Sequence, residues 1–335
     1  MNPTSWKLMA LARAVLVTLA YTDQFEFPLL ADEVYRRCLS LELERKSFTK
    51  KTVDQTLTEL DKRGLVERVT TEGKTYFCLH GRSRTVEQRL RKEAAAVVKY
   101  QEIQQFLSFA RRIPWIQAVY LTGSQAMNSA DPHSDIDFMI ITQPGRLWLS
   151  RILVSFFAQL HGKRRSWNRE EPGSWCFNLW LDTTHLAVDV SKRDSYHAYE
   201  VLQARPLWAK NDVDAVFYSD NTWINQFFYG VPKAEKHPLT RPTFSGNPLL
   251  TFLDWLSWTF QSWYMRRHQT TEKVGRGYAF FHPRDTGKVI AEGWLQSLER
   301  CLSKRQALEI LQPYVGSPSI ATSATNSTDR GREAD

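Results

Sequence analysis

The 335-residue sequence predicts an α/β (α+β) protein, a central domain with a mixed sheet preceded by a small three-helix module and followed by a helical extension. Three observations predict it. Residues 1–80 carry helix-period apolar stripes followed by one short two-stranded pattern. Residues 113–235 alternate apolar strands with helical segments, and beyond a Pro- and Thr-containing connector the chain returns to helical, aromatic-rich patterns. Hydrophobic residues at 42% and aromatics at 13% supply real cores, which excludes a disordered chain, and the length suits about two or three domains.

The first stretch, "MNPTSWKLMALARAVLVTLAYTD", lacks a small-residue cleavage site and its apolar run is broken by Arg13, so it reads as an amphipathic core helix rather than a signal peptide. The apolar segments 147–160 and 249–265 fall short of the roughly 20 residues that span a bilayer. We expect a soluble, cytoplasmic protein with no membrane span. Cys38, Cys78, Cys176 and Cys301 lie far apart, without the spacing of a zinc site or a disulfide framework, and suit a reducing compartment. A net charge of +8 favours polyanionic partners without choosing among nucleic acid, nucleotide and membrane.

In "KSFTKKTVDQTLTELDKRGLV", Ser47 or Thr49 caps a third helix, Val53, Leu57 and Leu60 recur at helical spacing, and Gly64 ends it. "LVERVTTEGKTYFCL" then alternates on both sides of Glu72-Gly73, with Val66, Val69, Tyr76 and Cys78 as candidate packed positions. Three helices and a hairpin over residues 1–82 resemble a winged helix. The resemblance implies that the third helix presents Lys50, Lys51, Thr52, Gln55 and Thr56, and the wing tip Lys74, to DNA or RNA. Winged helices also serve as protein-interaction modules, so nucleic-acid contact stays one of two readings.

Residues 83–112 contain neither Gly nor Pro between Ser83 and Arg112, and Val86, Leu90, Ala94, Val97 and Val98 form one apolar side, predicting a single linking helix before Pro114. The central domain spans 113–235. The extension, 236–313, contains helices from about Leu249 to His268 and from about Thr286 to Gln306, the second capped by Asp285 or Thr286. Its aromatic residues read as helix core, with stacking platforms for bases as the other reading. Residues 314–335 are Ser/Thr-rich and read as a disordered tail.

The chemistry concentrates in "LTGSQAMNSADPHSDIDFMIIT", residues 121–142. Successive strand residues alternate faces, so Asp135 and Asp137 share one face with Ile136 on the other. Two adjacent carboxylates repel unless a cation neutralises them, and hard oxygen donors suit Mg²⁺, which keeps waters and bridges to phosphates. Upstream, "AVYLTGS" ends a strand at Gly123-Ser124, where small residues let backbone N–H groups approach a phosphate.

Gly-Ser, a polar loop and an Asp-x-Asp strand resemble the nucleotidyltransferase superfamily typified by DNA polymerase beta and kanamycin nucleotidyltransferase, over residues 115–192. The resemblance implies that Asp135 and Asp137 coordinate Mg²⁺, that Gly123 and Ser124 hold a nucleoside triphosphate, and that a third carboxylate on a neighbouring strand helps deprotonate an acceptor hydroxyl. "CFNLWLDTTHLAVDVS" predicts a hairpin about Thr183-Thr184 in which Asn178 lies opposite Asp189 and Leu179, Leu181, Leu186 and Val188 face the core. Asp189, mid-strand on the polar face, is the expected third carboxylate and metal ligand, with Asp182 the alternative.

One departure stands out. Relatives place an arginine shortly after Gly-Ser, whereas this chain runs Gln125, Ala126, Met127, Asn128, so phosphate charge must come from elsewhere, with Lys192, Arg193 and Arg151 as candidates. The expected activity is Mg²⁺-dependent transfer of a nucleoside monophosphate to a hydroxyl of a small molecule, protein or RNA. The rival is a nucleic-acid-binding regulator, or a toxin–antitoxin component, with a non-catalytic nucleotidyltransferase-like domain.

Overall fold

A computed structural model describes residues 9–164, 173–231, 242, 244, 246–266, 273–281 and 286–315. Helix α1 (Ala10–Asp23) is buried on every side from Ala14 onward rather than amphipathic. The extension explains this. α11 (Thr286–Glu299) covers the flank that the N-terminal module leaves open, and Trp294 donates its indole N–H to the Val17 carbonyl at 2.8 Å.

Helices α2 (Ala31–Arg37) and α3 (Lys50–Lys62) follow, the latter capped by Thr49, whose hydroxyl accepts the Thr52 N–H at 3.1 Å. α3 buries Val53, Leu57 and Leu60 as its spacing requires, and Gly64 at φ 66° lets the chain turn away. The antiparallel sheet beside them has strand order β1 (Leu29–Leu30), β3 (Lys74–Leu79), β2 (Val66–Thr71). Glu72 and Gly73 join β2 to β3 with φ of 48° and 72°, the left-handed pair a tight two-residue hairpin turn demands.

The linking segment is two helices, α4 (Arg84–Val98) and α5 (Tyr100–Ala110), interrupted at Lys99. Each half is fastened to a different unit: Arg89 of α4 grips Glu33 in the N-terminal module, while Ile103, Phe106 and Leu107 of α5 bury against the central sheet. Lys99 marks the change of direction, its buried ammonium donating to the Ser134 carbonyl.

The central sheet has six strands in the order β7 (Arg205–Ala209), β4 (Ile116–Leu121), β5 (Ile136–Thr142), β6 (Trp175–Asp182), β9 (Tyr278–Phe280), β8 (Lys273–Val274). Among the described residues only β5 and β6 run parallel, so the sheet is mixed. Ile136, Phe138 and Ile140 face one core with α5 and α7 (Leu147–Leu160), whereas Met139 and Ile141 face a second core shared with α1 and the N-terminal module. The one-turn α6 (Gly123–Ala126), α8 (Ser195–Gln203) and α9 (Val213–Asp220) complete the central unit.

The hairpin expected about Thr183-Thr184 does not form. The Asp182 carboxylate accepts the Thr184 N–H at 2.9 Å and its hydroxyl at 2.6 Å, ending β6 in a turn. The antiparallel neighbour of β6 is instead β9, pairing Leu179 with Phe280 and Leu181 with Tyr278. The extension is therefore not purely helical. It supplies two strands to the central sheet, and α11 with α12 (Lys304–Leu311) closes the N-terminal core, in which Tyr314, expected in the tail, is buried.

A second expectation is corrected at α10 (Pro248–Met265), which packs on α7 through Asp254, accepting the Leu149 N–H at 2.8 Å, and Gln261, donating to the Trp148 carbonyl at 2.9 Å. With Trp258 and Met265, these contacts pack one face, and Phe252, Trp255, Phe260 and Trp263 on the rest of the helix are exposed rather than core. No described helix is long and apolar enough to cross a membrane. The expected cap Asp285 and residues 316–335 lie outside the described residues, and Thr286, the other expected cap, is the first residue of α11.

Candidate functional site

Strand β4 delivers the chain to Gly123 directly against Asp137, because the Thr122 N–H donates to the Asp137 carbonyl at 3.0 Å across the ladder. Gly123 adopts φ 62°, a backbone shape that favours glycine, and a Cβ there would lie 2.6 Å from Asp137 Oδ2, so the carboxylate would have to shift. The Ser124 carbonyl accepts the N–H groups of Met127 and Ser129 at 3.1 and 2.9 Å, folding the turn back on itself and leaving Gly123 and Ser124 exposed.

Asp135 and Asp137 flank the fully buried Ile136 and share the opposite face, half-buried. The start of β6 holds both. Asp135 Oδ1 accepts the Ser174 N–H at 3.1 Å, and Asp137 Oδ1 accepts the Asn178 amide at 2.9 Å. Lys99 approaches Asp135 from the break between α4 and α5, and burial holds its ammonium below its usual pKa.

The neighbouring strand thus presents Asn178 to the pair, where the resemblance implies a carboxylate. Alternation from Cys176, which pairs with Asp137, puts Asn178 on the aspartate face, and a register slip then pairs Met139 with Leu179. Asp189 is not brought to the pair. It is exposed, its carboxylate accepting the Ser191 N–H at 2.8 Å and hydroxyl at 2.6 Å, which with Lys192 and Lys273 holds its pKa low. Asp182, the alternative, is buried in its turn, 2.8 Å from His185 Nδ1. Among the described residues no group of three or more His, Cys, Asp or Glu is arranged to hold a metal ion.

A carboxylate from another element lies within electrostatic range of Asp137. Glu200, half-buried on α8, has its pKa pushed up to about 7, chiefly by desolvation and further by repulsion from Asp137, against the pull of His197. Sequence reasoning missed both Glu200 and Asn178. For Asn178 a signal existed, an amide between apolar residues on the strand after the Asp-x-Asp strand; for Glu200, on a helix far along the chain, none did.

Two aspartates with a bonded amide and an exposed Gly-Ser turn form a hard-oxygen donor set. It fits a Mg²⁺ ion that arrives with phosphates and keeps waters better than an all-protein cage. Of the predicted phosphate-binding cations, Arg151 stacks on Phe281 at 3.9 Å beside α10, Arg193 donates to the Val188 carbonyl at 3.1 Å, and Lys192 sits 5.1 Å over the Phe280 ring. In the N-terminal module Lys51, Gln55 and Lys74 are exposed, whereas Lys50 is tied to Asp32 at 2.5 Å. A cavity of about 170 Å³ lined by Gln143, Arg146, Thr183 and Thr251 lies at the far end of β5 from the aspartates.

No curated protein matches the chain, and no solved structure does. Residues 102–175, which carry α5, β4, the Gly123-Ser124 turn, β5 with both aspartates, α7 and the first residue of β6, match the nucleotidyltransferase domain family.

Proposed function

We propose that this protein is a Mg²⁺-dependent nucleotidyltransferase that moves a nucleoside monophosphate from a nucleoside triphosphate onto an acceptor hydroxyl. The contact between Gly123 and Asp137 carries the reading: a glycine in the left-handed region, exposed at the end of one strand, sits against a carboxylate on the strand that follows. Asp135 and Asp137 would hold the metal, and Gly123 and Ser124 would seat the triphosphate through backbone N–H groups. Mg²⁺, when bound, would neutralise phosphate charge.

The acceptor oxygen attacks the α-phosphorus, the bond to the β-phosphate oxygen breaks, and pyrophosphate leaves. Glu200, whose pKa burial raises to about 7, would act as the base that takes the hydroxyl proton, in place of Asp189. Asn178 orients Asp137 by its amide hydrogen bond.

Incubation with Mg²⁺, each of the four α-labelled ribonucleoside triphosphates and fractionated cell extract should transfer label to an acceptor and release pyrophosphate. Absence of transfer with all four overturns the catalytic reading.

Asn178 at the third-carboxylate place favours one other reading, a regulator that binds nucleotide without turning it over and contacts DNA or RNA through Lys51, Gln55 and Lys74 of its winged-helix-like module. Nucleotide binding without transfer in the same experiment selects it.

A further inference from the structure

The four residues after Gly123-Ser124 bring no cation of their own, and their surroundings show what replaces it. Gln125 is buried, its amide donating to the Ala96 carbonyl at 3.0 Å, so it points away from the turn. Met127 and Asn128, by contrast, are each met by a guanidinium from a distant element. Arg37 Nη2 lies 2.9 Å from Met127 Sδ, and Arg205 Nη1 lies 2.9 Å from Asn128 Oδ1.

Arg37 ends α2, in the N-terminal module. Its carbonyl accepts the Tyr199 hydroxyl at 3.0 Å, and Tyr199 stacks on Tyr21 with ring centroids 3.8 Å apart, which fixes α2 against α8. The guanidinium itself is poorly satisfied: a thioether is a weak acceptor, and Nη1 is buried without a hydrogen-bond partner among the described residues. Glu33, the carboxylate nearest in effect, already gives both oxygens to Arg89 at 2.6 and 2.9 Å. A buried cation without a strong acceptor is costly unless an anion completes it.

Arg205 opens β7, where it pairs with Leu121, two residues before Gly123. Its partner Asn128 holds a left-handed φ of 52°, so β7 and the end of the turn are joined at a defined corner. Two arginines, one from the N-terminal module and one from β7, thus converge on one dipeptide beside the turn.

We propose that Arg37 and Arg205 together bind the β- and γ-phosphates of the nucleotide, replacing the arginine absent after Gly-Ser and making the N-terminal module part of the nucleotide site. The inference rests on the function proposed above. It implies that nucleotide affinity depends on how the N-terminal module packs against α8.

Inorganic tripolyphosphate with Mg²⁺ isolates the phosphate contacts, and the parent nucleoside serves as the phosphate-free control, both titrated calorimetrically into the full chain. Arg37→Met, which keeps the buried bulk, and Arg205→Gln, at a more open position, should each weaken tripolyphosphate and nucleoside triphosphate binding about tenfold or more and lower the salt dependence of binding, with nucleoside binding unchanged. A merely structural role for either arginine would leave that salt dependence as in the wild type. If the wild type binds tripolyphosphate and both variants bind it equally well, the arginine assignment is overturned while the functional reading stands. If the wild type binds neither tripolyphosphate nor any nucleoside triphosphate, the functional reading fails and takes the assignment with it.

Discussion

Gly123→Ala should abolish nucleotide-dependent stabilisation of the protein while lowering its own stability by about 1–3 kcal/mol. Two separate penalties act at this one position. The left-handed φ of 62° disfavours any L-residue, and the added Cβ would stand 2.6 Å from Asp137 Oδ2, far inside contact distance. The clash is with the far end of a side chain, while the Thr122 N–H stays bonded to the Asp137 carbonyl in the adjoining rung. The Asp137 carboxylate must therefore swing away, leaving the Asn178 amide and the metal-facing position together. Urea unfolding measures the stability loss, and titration of Mg²⁺ with nucleoside triphosphate measures the loss of binding. Retention of wild-type affinity in a folded alanine variant would show that the turn does not approach the nucleotide.

Arg89→Ala should destabilise the protein by about 3–5 kcal/mol, the usual cost of removing one partner from a buried ion pair. The Arg89 side chain is 5% exposed and bonds both Glu33 oxygens, the Glu93 carboxylate at 2.8 Å and the Pro28 carbonyl. It also lies 4.1 Å over the Phe27 ring and 5.1 Å over Tyr76, so its removal opens a cavity as well as stranding Glu33. Burial alone would lower its pKa, and the two glutamates reverse that shift. Adding Glu33→Gln to Arg89→Ala should recover part of the loss, since the stranded charge is removed. Chemical denaturation of the single and double variants checks this, and a single-variant cost under about 1 kcal/mol would mean that α4 is not fastened to the module by this pair.

The parts of the fold legible in the sequence were those governed by local rules. Thr49, Val53, Leu57, Leu60 and Gly64 state the start, buried face and end of α3 within sixteen residues, and Glu72-Gly73 states its turn by backbone preference alone. Gly123-Ser124 and the alternation through Asp135, Ile136 and Asp137 were legible for the same reason. What failed depended on partners distant in sequence. The alternation in residues 176–189 suggested a hairpin, yet the true neighbour of β6 lies some hundred residues later, in β9. Once Asp182 capped its own turn, Asp189 lost the strand that was to place it, and the slip at Asn178 cannot be read from spacing. Lys99 breaks a pattern with no Gly or Pro to announce it, because its cause is tertiary, a buried ammonium reaching the Ser134 carbonyl. The aromatics of α10 show the limit of composition: Trp255 and Trp263 have the residue type of a core and the exposure of a surface.

The central claim is that Asp135 and Asp137 form the metal-dependent seat of a nucleotide, and thermal unfolding of the wild type beside the Asp135→Asn, Asp137→Asn variant tests it most directly. Asparagine keeps an acceptor oxygen for the Ser174 N–H and the Asn178 amide while removing both charges, so the comparison isolates the ion-binding function from the local hydrogen bonds. A ligand that binds only the native state raises stability by mass action, about 2.7 kcal/mol at a hundredfold excess over Kd. The wild type should melt several degrees higher with Mg²⁺ and nucleoside triphosphate together, and the double variant should not respond to the same mixture. An equal upward shift in both proteins, or no shift in the wild type with any of the four triphosphates, would contradict the assignment of these two aspartates.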